Sequence, residues 1–283
     1  MSQQPAYKLI RLRNGTHSVH STGDAETFHP GIGPAAEAEA LYVRQLQLPE
    51  RVERSAEEFV IWDVGLGAAA NALTAIRLIQ ESLPAAASTP KRLRIVSFDQ
   101  TTEAAAFALE HSTELGYLSG YEAFVSDLIQ NHSAGFESGS LKIEWVLEQG
   151  DFPAALLNSK FKNRNSKLAP HAVLFDPHSP KKNPAMWTVP LFTNLFRHLD
   201  PERPCALANF TRSTMARTAM LLGGFFVGVG HASGMKEETT VAANWMGLLK
   251  EPLDGRWLER AQRSGSAEPL QEAIYRQAPP SPE

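Results

Sequence analysis

Three acidic residues follow three apolar runs. Phe59-Val60-Ile61-Trp62 leads into Asp63, Leu93-Arg94-Ile95-Val96-Ser97-Phe98 into Asp99, and Leu141–Leu147 into Gln149-Gly150-Asp151. Apolar runs bounded by turn residues read as buried strands, and open α/β sheets bind ligands at the carboxyl ends of their strands. Between Asp63 and a helical pattern starting at about Ala69 lies Gly65-Leu66-Gly67. Glycines there let the backbone turn sharply and approach a ligand, and the helix behind them offers free N–H donors. Taken alone, Gly-x-Gly also fits an ordinary strand-to-helix connection, and each acid alone also fits a loop or helix-cap carboxylate. Three acids in register at one sheet edge point to a nucleoside-containing ligand.

The acids also discriminate between ligands. A carboxylate after the second strand accepts both ribose hydroxyls of a dinucleotide or of S-adenosylmethionine. Asp63, directly before the glycine turn, repels a pyrophosphate but attracts an ammonium or a sulfonium. Gly150-Asp151 suits the adenine amino group, because a carboxylate accepts from its N–H. Position 70, where the dinucleotide fingerprint has a glycine, is Ala70. These features favour an S-adenosylmethionine site built on Asp63, Gly65, Gly67, Asp99, Gly150 and Asp151.

The elements that must position these groups alternate strand and helix from Glu58 onward, which argues for a mostly parallel sheet in an α/β fold. The expected strands are Phe59–Val64, Leu93–Phe98, Leu141–Leu147, Ala172–Phe175, Cys205–Phe210, Phe225–Val229 and about Thr239–Trp245, giving a seven-stranded sheet. Helices are expected over about Ala69–Leu83, Thr102–Leu115, Tyr121–Asn131, Met186–Leu199 and Ser213–Leu222. Ahead of the sheet, Tyr7 to Ser21 alternates around Asn14-Gly15, a hairpin signal. The breaker-rich Phe28–Pro34 and a helix over about Ala35–Leu46 follow. The sequence thus divides into an N-terminal hairpin-and-helix extension (1–55), a catalytic domain (56–250) and a loosely held C-terminal tail (251–283).

The composition bounds the function. The 283 residues are 43% hydrophobic and 20% charged, with a net charge of −4. That balance argues against a general nucleic-acid-coating protein while leaving room for a local basic patch. Cys205 is the only cysteine, which leaves neither a disulfide framework nor a cysteine metal site, and the histidines lack ligand spacing; no metal is expected. No apolar run reaches membrane-spanning length and the first 15 residues have no signal-peptide core, so a cytoplasmic protein without membrane contact is expected.

The most specific run is Asp176-Pro177-His178-Ser179-Pro180-Lys181-Lys182-Asn183-Pro184-Ala185-Met186-Trp187-Thr188, leaving the expected fourth strand. It resembles the signature of the MnmC-like methyltransferase family, an Asp followed by Pro-x-Lys-Asn-Pro-x-Met-Trp-Thr. Asp63 to Leu73 is similar to the family's cofactor loop with its trailing asparagine, here Asn71. Ser97-Phe98-Asp99, Gly150-Asp151, and Leu207–Thr211 with Arg217 also resemble family segments, as do Phe28-His29 and Glu39 to Val43 of the front section. The resemblance spans roughly residues 10 to 245. It implies a Rossmann-like S-adenosylmethionine-dependent methyltransferase fold. The activity it implies is methyl transfer to the exocyclic amine of 5-aminomethyl-(2-thio)uridine at the tRNA wobble position. It also implies tRNA as partner and, with the chain ending where it does, no flavin oxidase domain.

An aminomethyl group is largely protonated near neutral pH, so an acceptor must orient or deprotonate it. Asp176 is the candidate, with Asn183 helping to hold the base or amine; Asp176 as a helix cap or loop-fixing group is the other reading. Lys181 and Lys182 are candidate phosphate contacts, extended by Arg217 and Arg212, with Glu39 and Tyr42 at the substrate side. Lys160, Lys162, Arg164 and Lys167 form a basic stretch that reads as an exposed loop, with RNA contact as the other reading. Departures from the family include Ala69 in place of a glycine, tolerable if its φ is negative, Pro177-His178 in place of Gly and an aromatic, and Ala185 in place of an acid. Two other functions stay open: a methyltransferase acting on a small-molecule amine, and a non-catalytic cofactor-binding remnant.

Overall fold

The computed structural model describes residues 6–84, 89–157, 167–233 and 237–275. Lys160, Lys162 and Arg164 lie outside the described residues. The front section forms β1 (Tyr7–Arg11), β2 (His17–Ser21) and β3 (Glu26–Thr27). The hairpin turns at Asn14-Gly15, where Gly15 adopts φ 88° and Asn14 Oδ1 accepts from Thr16 N. The third strand, Glu26–Thr27, is too short to leave a pattern in sequence.

The main sheet contains β4 (Phe59–Val64), β5 (Lys91–Asp99), β6 (Ser133–Ser138), β7 (Leu141–Gln149), β8 (Ala172–Phe175), β9 (Ala206–Asn209), β10 (Phe226–Gly230) and β11 (Thr239–Ala243). Their order is β10-β11-β9-β8-β4-β5-β7-β6, eight strands rather than seven. The five central strands β9, β8, β4, β5 and β7 run parallel. The additional strand, β6, is an antiparallel edge strand on β7. Ala134, Phe136 and Ser138 turn inward from Ser-Ala-Gly-Phe-Glu-Ser, and with a serine as the third inward residue the alternation is too weak to read.

Every residue of β4 is buried, as expected for a parallel strand covered on both faces. Phe59 and Ile61 enter the core beneath the helix Ala70–Ser82 and the front section, while Val60, Trp62 and Val64 enter the opposite core beneath the helices Val189–His198 and Thr214–Leu222. The front section is therefore part of the first core: Val19, Ala38, Leu41 and Tyr42 all pack into it. Its expected single helix is Pro34–Ala38 continuing as a π-helical stretch, Glu39–Arg44, and a further helix, Leu48–Arg54, precedes β4. The segment after Arg263, which reads as loose in sequence, is tied down in part. Leu270 is buried in the second core, and its carbonyl accepts from Val189 N.

Ala69, where the helix Ala70–Ser82 begins, has φ 63° and ψ 12°, so the condition of a negative φ under which alanine would be tolerable is not met. The turn still needs the left-handed conformation that a glycine would supply. That conformation costs an L-residue roughly 1–2 kcal/mol, partly offset by the greater unfolded-state entropy of glycine. Ala69→Gly is therefore expected to stabilise the protein by about 0.5–1 kcal/mol, read as a higher urea midpoint at unchanged slope.

Candidate active site

The carboxyl ends of β4, β5, β7 and β8 open into a cavity of about 810 Å³, roofed by the tip of the front sheet and the loop after it. Gly65, Gly67, Asn71, Asp99, Gly150, Asp151, Asp176, Lys182 and Asn183 all stand on its wall. Residues from separate segments of sequence thus meet at one place.

The glycine turn is fixed from two sides. Gly65 N and Leu66 N donate to Phe98 O, and Gly67 N donates to Asp99 Oδ2 at 2.9 Å. Gly65 has φ 96°, and a Cβ built there would lie 2.6 Å from the carbonyl oxygen of Asp176. The turn after β4 and the loop after β8 are therefore in direct backbone contact. Burial pushes the Asp99 carboxyl up, and the N–H groups of Gly67 and Thr101 work against that rise. Asp151 Oδ2 accepts from Ala154 N, capping the short helix Phe152–Ala155. The cap was one of the two readings of that acid, and the residue also stands on the cavity wall.

Asp176 forms the centre of the opposite side of the cavity. Its Oδ2 accepts from Asn71 Nδ2 at 2.7 Å and lies 3.6 Å from His29 Nε2. Asn71, expected as a cofactor contact, is spent in part on orienting this carboxylate. Its Oδ1 is buried with no hydrogen-bond partner among the described residues. The loop that follows Asp176 is held by Lys182 N and Asn183 N donating to Ser179 O, and by Trp187 Nε1 donating to His178 O at 2.9 Å. Trp187 is a fully buried anchor rather than a stacking platform.

Sequence reasoning misses a latch across the cavity mouth. Glu26 on β3 accepts from Ser179 Oγ at 2.5 Å, and its Oε2 lies 3.1 Å from His178 Nδ1. Asp24 lies 3.4 Å from the other ring nitrogen of His178. In sequence His178 stands out only as a departure from the family signature, and no spacing rule links it to residues about 150 positions away. With Asp24, Glu26, Glu37, Asp99, Asp151 and Asp176 on the wall against Lys182, the cavity is strongly acidic.

Several expected contacts lie elsewhere. Asp63 is fully buried behind the wall, because the strand pleat turns it into the core with Phe59 and Ile61. Its Oδ2 accepts from Ser97 Oγ at 2.7 Å, and that hydroxyl in turn accepts from Trp145 Nε1 at 2.8 Å. Burial pushes its carboxyl up to about 7. Tyr42 is also fully buried, and burial followed by the neighbouring Asp176 carboxylate raises its phenol well above the ordinary value. Glu39 pairs with Arg44 and does not line the cavity. Arg217 is buried: Nε donates to Thr240 Oγ1, NH2 to Thr239 O, and NH1 meets Glu238 at 3.1 Å. It braces β11 and offers nothing to a substrate. Lys181 is exposed beside the cavity loop without lining the cavity, and Arg212 is exposed on the loop after β9.

The wall fits S-adenosylmethionine. A glycine turn without Cβ atoms faces it, an unpartnered acceptor waits at Asn71, and carboxylates surround the place where a sulfonium and an ammonium need counter-charge. Among the described residues no group of three or more His, Cys, Asp or Glu side chains could hold a metal ion, and no helix is long and apolar enough to cross a membrane.

Comparison with known proteins gives a consistent picture. A family model described as S-adenosyl-L-methionine-dependent methyltransferase matches residues 121–244. The tRNA 5-methylaminomethyl-2-thiouridine biosynthesis bifunctional protein MnmC of Aeromonas hydrophila is 27% identical over 217 residues, covering 72% of this chain and 30% of its own length. The protein of the same name from Pseudomonas fluorescens is 29% identical over 203 residues, covering 69% of this chain and 29% of its own length. This chain therefore spans about 30% of the length of the curated relatives it matches. Among solved structures, MNMC2 from Aquifex aeolicus superposes with a TM-score of 0.68 at 20% identity, covering 96% of this chain and 80% of the other. A probable spermidine synthase from Corynebacterium glutamicum superposes at 0.51 with 11% identity, covering 97% and 95% of the two chains. These superpositions establish the fold.

Proposed function

We propose, from the premise that this chain is an MnmC-like S-adenosyl-L-methionine-dependent methyltransferase domain, that it methylates the aminomethyl group of 5-aminomethyl-(2-thio)uridine at the wobble position of tRNA. The observation that carries this reading is the juncture of the Gly65 turn with Asp176, which puts a methyl-donor turn and an acidic acceptor loop in backbone contact. The names of the aligned relatives supply the RNA side of the reading.

When bound, S-adenosylmethionine would supply a methyl group on a positively charged sulfur, which takes the electron pair and becomes a neutral thioether as the amine nitrogen bonds to the methyl carbon. The donor is already activated, so the protein contributes alignment, water exclusion and electrostatics. Gly65, Gly67, Asp99, Gly150 and Asp151 would hold the cofactor. Asp176, its Oδ2 fixed by Asn71, is the counter-ion that receives and orients the substrate's ammonium. Asn183, on the same wall, fixes the base or its aminomethyl arm. The negative wall suits the cationic amine, so the phosphates must lie outside it, where Lys181 and Arg212 are exposed, with the exposed Lys182 on the wall beside them.

The test is incorporation of labelled methyl into tRNA from cells unable to complete the wobble-uridine pathway, compared with incorporation into a panel of small amines. The double variant Lys181→Ala, Lys182→Ala is expected to weaken tRNA binding alike for all acceptor sequences. It should also flatten the dependence of log K on log salt by about one unit for each phosphate that a lysine no longer neutralises, measured by filter binding. A salt slope equal to that of the wild type would remove these lysines from the RNA surface. One observation favours a small-molecule amine as the second reading: the mouth is latched by Asp24 and Glu26, and Arg217 is consumed inside the core. Label in a free amine and none in tRNA would choose it.

A further inference from the structure

Asp176 has a neighbour whose backbone is bent to reach it. His29 has φ 48°, in the left-handed region, and its side chain is 10% exposed on the cavity wall. Strained non-glycine residues of this kind gather at functional sites, where packing over-determines them. Phe28 N donates to Val19 O just before it, and Gly31 N donates to Glu37 Oε2 at 3.4 Å just after it, so the strained turn is tied down on both flanks. The strain delivers Nε2 to within 3.6 Å of Asp176 Oδ2. The other ring nitrogen, Nδ1, has no hydrogen-bond partner among the described residues. The same carboxylate is fixed by Asn71 and abuts Tyr42 in the π-helical stretch, itself a rare conformation that recurs at functional sites.

We propose that His29 is the general base of the methyl transfer and that Asp176 is its orienting carboxylate. The inference rests on the amine-methylating function proposed above. A carboxylate alone is a weak acceptor for an ammonium proton, and an imidazole is more basic by about two and a half pH units. In the resting dyad Nε2 carries the hydrogen and turns it toward Asp176, which leaves Nδ1 with its lone pair; a carboxylate fixes the tautomer of a catalytic histidine in this way. One N–H bond of the substrate ammonium breaks and an N–H bond forms at Nδ1, leaving the lone pair on the amine. The imidazolium is balanced by the Asp176 carboxylate. The amine then bonds to the methyl carbon as that carbon's bond to sulfur breaks, the electron pair staying on sulfur. The methylated product keeps one positive charge, and the imidazolium returns its proton to water.

Two measurements test this. In the full-length protein with 15N-labelled histidine, the His29 ring is expected in the Nε2–H form at neutral pH, and Asp176→Asn should abolish that preference. An Nδ1–H ring in the wild type overturns the proposal, whatever the activity, because no lone pair would be available. Second, with S-adenosylmethionine and the under-modified tRNA, His29→Gly is expected to lower kcat about 10²-fold, at the low end for a positioned proton-transfer group. Glycine accepts φ 48° without strain, so thermal unfolding and cofactor binding should match the wild type. Imidazole should restore turnover, whereas non-basic pyrrole should not. His29→Asn, which also tolerates this backbone but fills the space, should be equally slow and not rescued. Equal rescue by pyrrole, or none by imidazole, overturns the proposal. A wild-type protein that methylates no amine refutes the proposed function instead, while the nitrogen spectra still decide the His29–Asp176 pairing.

Discussion

Replacing Asp176 by Asn is expected to lower kcat for methyl transfer by about 10³-fold while leaving S-adenosylmethionine affinity within a few-fold of the wild type. The substitution keeps the shape of the side chain and an acceptor for Asn71 Nδ2, so the loop after β8 should stay in place. It removes the negative charge proposed to receive the ammonium, in a cavity where that charge is only 17% exposed and water screens it poorly. Single-turnover transfer of a labelled methyl group and calorimetric cofactor binding separate the two effects. A variant that binds cofactor and transfers at the wild-type rate would assign Asp176 a structural role only.

The second large effect concerns stability. Asp63 is expected to make the protein lose stability as pH rises from about 4 to about 7, because burial lifts its carboxyl from 3.8 to about 7 in the folded state. The folded chain holds this proton more tightly than the unfolded chain, so stability is fully present below the unfolded value. It falls as pH climbs through the folded one. A shift from 3.8 to about 7 corresponds to roughly 4 kcal/mol at its full extent. Asp63→Asn has no such titration, so its stability relative to the wild type should improve by that order between pH 4 and pH 8. Part of that gain offsets the buried amide hydrogens that replace Oδ1, which has no hydrogen-bond partner among the described residues. Urea unfolding of both proteins at the two pH values measures the difference. A pH-independent difference would mean that Asp63 ionises freely in the folded protein.

These two carboxylates also show what is legible in the sequence. Both terminate apolar runs, and the runs are readable because β4 and β8 are buried along their whole length, β5 is buried over most of its second half, and β7 alternates buried apolar with exposed polar residues. The side of the cavity proposed to hold the cofactor follows from that periodicity: Gly65, Gly67, Asp99 and Asp151 sit where strands end, and strand ends meet at one edge. Asp63 falls one position short of that edge. The pleat turns it inward, and the wall begins at Val64, a difference of a single residue that alternation alone does not fix at a strand terminus.

The acceptor side is less legible because its contacts are long-range. Asn71 reaches Asp176 across 105 positions, and Glu26 reaches His178 across 152. Nothing local in Asp24–Thr27 marks those residues for the cavity, and Phe28-His29 stand out only by the family resemblance. Arg217 shows the converse error: a cation on the helix after β9 looks available in sequence, yet Thr239, Thr240 and Glu238 take up its donors from β11 and the segment before it. Ala69 shows why a departure from a glycine motif says little about backbone shape, since the turn keeps its left-handed residue and absorbs the strain.

The central claim is tested most directly by nucleoside analysis. The full-length protein is incubated with methyl-labelled S-adenosylmethionine and tRNA from cells unable to complete the wobble-uridine pathway, and the RNA is digested and resolved by mass spectrometry. The label is expected in 5-methylaminomethyl-(2-thio)uridine and to fall about 10³-fold with Asp176→Asn. Tight cofactor binding with no label in any tRNA nucleoside would contradict the account.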